Sequence, residues 1–372
     1  MKPFGYRPEL DGLRTIAVYV VVAYHSGLSL FSNGYLGVDV FFVLSGFLVT
    51  NVLLNELHER GEIRLLRFFA RRIRRLLPAG LVTILLTVVA LRFATETSER
   101  IGVQSDARSA ALWFANFNAV DRIRDGLVNP SPLFHFWSLS IEEQYYLVFP
   151  AIVLALWAAR RRRLDVMWVV LAGAAALGAL AQVAFNQADP TAAYYFTHLR
   201  IYQMLAGAAL AATLKDRPNL VPNLPGAVPT AALGAVVVLT LGGAESLSPS
   251  LRGVLTTGLI VVVLHGLVHD DSWIKRALSA KPMVYLGGLS YAVYLFHVPI
   301  GVITDYAVGA MNPWPKLAYT AVVSTVLAAI SASILERPVR VNPTLDRYPG
   351  RVIAAGLTSS ALVGLTIVPL VL

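Results

Sequence analysis

The chain has 372 residues, 56% of them hydrophobic and 14% charged, and a mean hydropathy of +0.63, which excludes a water-soluble domain of this length. Its apolar runs are long and continuous, and a bilayer tolerates no open sheet edge, so the fold class is an all-α integral membrane protein. The net charge of +9 comes from 31 Lys and Arg against 22 Asp and Glu, and its distribution along the chain assigns it to membrane topology, with no nucleic-acid partner.

Eleven segments are close to the roughly 20 residues that a crossing helix needs. They run near 13–31, 36–55, 77–94, 139–158, 164–185, 199–214, 226–243, 253–268, 283–304, 316–335 and 352–372. Basic loops stay cytoplasmic. With the N-terminus inside, 23 of the 31 basic residues fall inside: Lys2, Arg7 and Arg14, seven arginines from Arg60 to Arg75, Arg160 to Arg163, and the basic residues of the 215–217, 275–281 and 337–351 segments. Arg100, Arg108, Arg122 and Arg124 sit in one outer loop, 95–138. This places a multi-pass protein in a bacterial cytoplasmic membrane, its C-terminus outside; the excess of Arg over Lys suggests a GC-rich genome. Cysteine is absent, which excludes disulfides and thiolate chemistry. The histidines are scattered, and no metal site is read from them.

In the first stretch Arg14 and His25 are eleven residues apart, so on a helix they point roughly 20° apart and lie about 16 Å from each other along the axis. Ionisable groups are costly in hydrocarbon and usually face a cavity, which puts a cation near one surface and an imidazole deep inside. Imidazole suits a general base near neutral pH. In the next stretch, 34–48, Gly34, Gly37 and Gly46 either only let helices approach or serve the site, and Asp39 is either a solvated helix start or the partner of His25. Residues 60–78 read as a basic amphipathic helix at the cytoplasmic face. Arg71, Arg72, Arg74 and Arg75 there are explained by topology or by an anion site, since Arg forks hold phosphate bidentately.

The outer loop ends in HFWSLSIEEQYY, with Trp137, Ser138, Glu142 and Gln144 crowding the start of the fourth span. An aromatic interface belt accounts for the rings but poorly for Glu142, which fits a polar vestibule. In the ninth span Ser290, Tyr294 and His297 lie along one stripe. Glu336 and Pro338 mark the end of the tenth, or Glu336 pairs with an inside arginine. The domain division read is a membrane domain over 1–338, then a cytoplasmic linker and final span over 339–372 that leads to a further extracytoplasmic domain.

Taken together, Arg14 with His25, the Gly34–Gly46 run with Ser45, Arg71-Arg72-x-x-Arg75, Trp137-Ser138-Leu139 with Glu142 and Gln144, and Ser290-Tyr291-x-x-Tyr294 with His297 resemble the acyltransferase-3 family of bacterial membrane O-acyltransferases. The resemblance implies transfer of a short acyl group, acetyl or succinyl, from cytoplasmic acyl-coenzyme A to a hydroxyl of an extracytoplasmic envelope glycan or glycolipid, with an SGNH-type domain following in many members. On that reading Arg71, Arg72 and Arg75 hold the nucleotide phosphates and Arg14 guides the pantetheine arm. His25 is the base, with Asp39 or Glu142 orienting it, or else the carrier of a covalent acyl group. Ser45, Tyr294 and His297 are candidate oxyanion donors, and Trp137, Ser138, Gln144 and Ser290 complete the substrate-binding set. The rival class is a proton-coupled transporter, which also needs buried His, Glu and Arg.

Overall fold

The computed structural model describes residues 5–94, 97–127, 131–159, 166–220, 223–242, 246–269 and 272–372; Lys2 and Arg160 to Arg163 of the topology reading lie outside them. Every regular element among these residues is helical. In chain order the helices are α1 Pro8–His25, α2 Gly37–Arg60, α3 Leu65–Ala94, α4 Thr97–Ala111, α5 Ala115–Arg124 and α6 Phe136–Ala159. Then come α7 Met167–Phe185, α8 Pro190–Tyr195, α9 Thr197–Arg200, α10 Tyr202–Asp216, α11 Ala227–Thr240, α12 Pro249–His269 and α13 Trp273–Leu278. The last are α14 Lys281–Val308, α15 Pro313–Ser331, α16 Arg337–Val341, α17 Pro343–Arg347, α18 Pro349–Leu362 and α19 Val368–Val371.

Eight of the described helices are long and apolar enough to cross a bilayer. The three other expected spans are also helices: α1, whose first turns carry Glu9, Asp11 and Arg14, and the shorter α10 and α11. Local chemistry moves several boundaries. Pro8 at the first helical position and acids in the first turn start α1 earlier than hydropathy suggests. It ends at His25, before the left-handed Gly27, not at 31. The expected basic helix at 60–78 and the span at 77–94 are one helix, α3, with Pro78 inside it; what separates α3 from α2 is left-handed Gly61. Glu336 and Pro338 do not end the tenth span. A wide π turn at Ala332–Glu336 absorbs the proline, and the helix continues to Val341.

By contact density the chain falls into two units: Met1–Ile63 with Tyr145–Gly288, and Arg64–Gln144 with Leu289–Leu372. In the first, Leu13, Val43, Phe47, Val263 and Leu264 belong to one apolar core. Its crossings are made by glycine. A Cβ on Gly46 would collide with the Met204 carbonyl, and one on Gly207 with that of Val43, so α2 and α10 meet backbone to backbone.

In the second unit α18 packs on α3, where a Cβ on Gly356 would meet Ile73 Cγ2 at 2.6 Å. The Ser360 hydroxyl donates to the Ala111 carbonyl. Helix α18 is thus a packed member of this unit. Arg74, 3% exposed, donates to the carbonyls of Val339 (2.9 Å), Arg340 and Asn342 (3.0 Å) and pairs with Asp346. One side chain thereby satisfies the carbonyls that the end of α16 leaves open.

Candidate functional site

The candidate residues divide between the two units. In the first, α1 is one unbroken helix from Arg14 to His25, which realises the spacing argument. Arg14 donates to Asp11 Oδ1 at 3.0 Å, and the Tyr6 hydroxyl donates to Asp11 Oδ2 at 2.8 Å. His25 is the last residue of α1 and is exposed, so the imidazole sits at a helix end instead of deep within a span. Its Nδ1 lies 3.1 Å from the Val21 carbonyl oxygen. A carbonyl can only accept, so Nδ1 carries the proton and the basic lone pair is on Nε2.

Asp39 does not orient His25. It is 1% exposed, and its Oδ1 accepts from the Arg200 guanidinium and, at 2.8 Å, from Gln203 Nε2. Arg200 is equally buried, beside the rings of Tyr194 at 4.7 Å and Phe42 at 5.6 Å. The sequence reading gave Arg200 and Gln203 no role, although a basic residue at the head of the sixth span was a signal for one. Ser45 accepts a hydrogen bond from the Tyr146 hydroxyl at 2.9 Å. Beside His25, Tyr24, Tyr35, Tyr194 and Tyr195 form a row of rings. Burial pushes the Tyr194 and Tyr195 phenols well above their ordinary range despite the opposing charge of Arg200, so both stay neutral at physiological pH.

In the second unit the helix periodicity separates the arginines. Arg71 is exposed, Arg72 and Arg75 are half-buried, and Arg74 turns inward to its structural carbonyls. Arg72 lies 5.6 Å from the Phe68 ring centre and within electrostatic reach of Glu143, which also feels Glu142. Tyr291 donates to the Leu76 carbonyl at 2.6 Å and feels the charges of Arg75, Glu142 and Glu143. Cations of α3 and acids of α6 therefore share one electrostatic neighbourhood.

Ser138 and His135, at the head of α6, meet Tyr294 and His297 of α14, a meeting across helices that periodicity along one helix does not reach. The Ser138 and Tyr294 hydroxyls are 2.7 Å apart, and Tyr294 donates to the His135 carbonyl at 3.1 Å. His297 Nδ1–H donates to the Tyr294 carbonyl at 2.6 Å, and the His135 and His297 rings are 5.3 Å apart. All four side chains are buried, as are Trp137 and Ser290. Gln144 serves a turn: it donates to the Trp113 carbonyl and to Asn116 Oδ1, each at 2.9 Å. Trp113 needs that support because its φ of 63° is left-handed, a costly geometry for an aromatic residue.

The model of an acyltransferase domain (type 3) matches residues 7–335. The peptidoglycan O-acetyltransferase OatA of Listeria monocytogenes is 32% identical over 93% of this chain and 57% of its own length. The O-acetyltransferase OatA of Staphylococcus aureus is 31% identical over 90% of this chain and 57% of its own length. The chain spans somewhat more than half the length of these curated relatives. No solved structure matches it.

Proposed function

This chain belongs to the acyltransferase-3 family, and we propose from that premise that it is a membrane O-acyltransferase that esterifies a hydroxyl of an extracytoplasmic envelope glycan, with peptidoglycan as the acceptor. The naming of its relatives supports the acceptor class. The donor is cytoplasmic acyl-coenzyme A, the N-terminus is cytoplasmic and the C-terminus lies outside, as the basic-residue distribution indicates.

The observation that carries the mechanism is the His25 tautomer. With Nδ1–H held by the Val21 carbonyl, Nε2 is the atom able to take a proton. It removes the acceptor hydroxyl proton as that oxygen attacks the thioester carbonyl. The tetrahedral intermediate collapses by breaking the C–S bond, and the departing sulfur takes the proton from Nε2, which leaves an ester, free coenzyme A thiol and neutral imidazole. Asp39 supports this indirectly, by holding Arg200 within the first unit. Arg71, Arg72 and Arg75 are the proposed ligands of the donor phosphates.

The test is transfer from radiolabelled acetyl-coenzyme A to a soluble peptidoglycan fragment by full-length chain in nanodiscs. His25→Ala loses at least ~100-fold in rate while eluting as folded protein. Wild-type rates in that variant refute the base assignment.

A further inference from the structure

The rings beside His25 come from three separate elements that share no sequence motif. Tyr24 is in the last turn of α1, Tyr35 lies in the one-turn helix Gly34–Leu36, and Tyr194 is in α8. Ring centres run from His25 to Tyr24 at 5.0 Å, to Tyr35 at 5.6 Å and to Tyr194 at 5.9 Å. The row is neither swallowed by the core nor loose on the surface. Tyr24 is 37% exposed, Tyr35 and Tyr194 are half-buried, and buried cations brace the two inner rings. Arg200 stands 4.7 Å from the Tyr194 ring centre, and Arg252 stands 5.8 Å from that of Tyr35.

Both cations are themselves fixed. Arg200 is tied to Asp39, and Arg252 donates to the Leu247 carbonyl at 2.9 Å and to the Asn33 side chain. The Tyr35 hydroxyl is buried without a hydrogen-bond partner among the described residues, so this ring serves the row through its apolar surface. The rings meet edge to face, at 71° between Tyr24 and Tyr35 and 73° between Tyr35 and Tyr194, so the row offers apolar ring faces and edges in alternation. That pattern fits a sugar chain, whose pyranose rings present apolar C–H faces and peripheral hydroxyls.

We propose that Tyr24, Tyr35 and Tyr194 form the platform on which the acceptor glycan lies, with Arg200 and Arg252 as positioning residues, and that the row delivers one sugar hydroxyl to His25. This rests on the reading of His25 as the base. The occupant is a neutral amino-sugar chain. A lipid headgroup is the other ligand of an exposed aromatic belt, and the test separates the two.

Binding of an N-acetylglucosamine tetramer is measured on the full chain in nanodiscs, with transfer assayed in parallel. Tyr24→Leu and Tyr35→Leu weaken tetramer binding by about fivefold to tenfold, the scale of one stacked ring. Tyr35→Phe, which keeps the ring and removes only the buried hydroxyl, binds as wild type. Tyr285→Leu, at a 54%-exposed tyrosine elsewhere in the same unit, binds as wild type. His25→Ala keeps row-dependent tetramer binding while transfer falls by at least ~100-fold. The platform is overturned if wild type fails to bind the tetramer, if both row variants bind as wild type, or if Tyr285→Leu is weakened as much as they are. Row-dependent binding with transfer intact in His25→Ala instead upholds the platform and removes the base.

Discussion

Arg200 and Asp39, 161 residues apart in sequence, form an ion pair in the interior of the first unit, where each is 1% exposed. Two charges removed from water persist only with good geometry and further hydrogen bonds, which Gln203 supplies from the adjoining turn. Arg200→Ala leaves the carboxylate buried and unmatched, so a loss of about 3–5 kcal/mol is expected. The double change Asp39→Leu with Arg200→Met recovers most of it, as thermal unfolding in detergent will show; a double variant no more stable than the single one refutes the pairing.

Neighbouring arginines on α3 separate into structure and chemistry. Arg74→Ala removes the donor to three carbonyls and to Asp346, and a drop of at least ~2 kcal/mol follows, read as a lower melting temperature. Arg72→Ala leaves the melting temperature near wild type and instead raises the apparent acyl-coenzyme A dissociation constant. If the two variants show the same pattern, the division of labour is wrong.

Glycine substitutions offer an internal control. At Gly46 a methyl group collides with the Met204 carbonyl, so Gly46→Ala forces α2 from α10 and costs roughly 3 kcal/mol or more. At Gly288, an exposed helical position with nothing within 4 Å of a built Cβ, Gly288→Ala is neutral or stabilises by up to about 1 kcal/mol. Folded yield by size-exclusion chromatography distinguishes them.

The absence of cysteine makes topology directly measurable. Ser29→Cys, in the exposed turn after α1, is expected to react with an impermeant maleimide added to intact cells, and Glu59→Cys, near the end of α2, only after the membrane is opened. The reverse pattern inverts the proposed orientation.

The helical placement of several candidate residues was legible in the sequence. Arg14 and His25 share one helix, and the Ser290–Tyr294–His297 stripe needed only helical periodicity to align. Periodicity names a face, not the group opposite it. Asp39 therefore looked like a partner for nearby His25 but belongs to Arg200, and Gln144 looked like a substrate ligand but holds the Trp113 turn. Ends of helices were equally opaque where a proline or a left-handed glycine, rather than hydropathy, set them.

Composition and spacing by themselves determined that the chain folds as membrane helices and which residues are too polar to lie there idly, because hydrocarbon leaves the backbone no alternative and charges unwanted cost. Only the tertiary structure decided which of those residues meet. Arg74 with Val339, Ser138 with Tyr294 and Tyr35 with Tyr194 are each joined by packing between distant segments, and no local rule of helix geometry reaches that far.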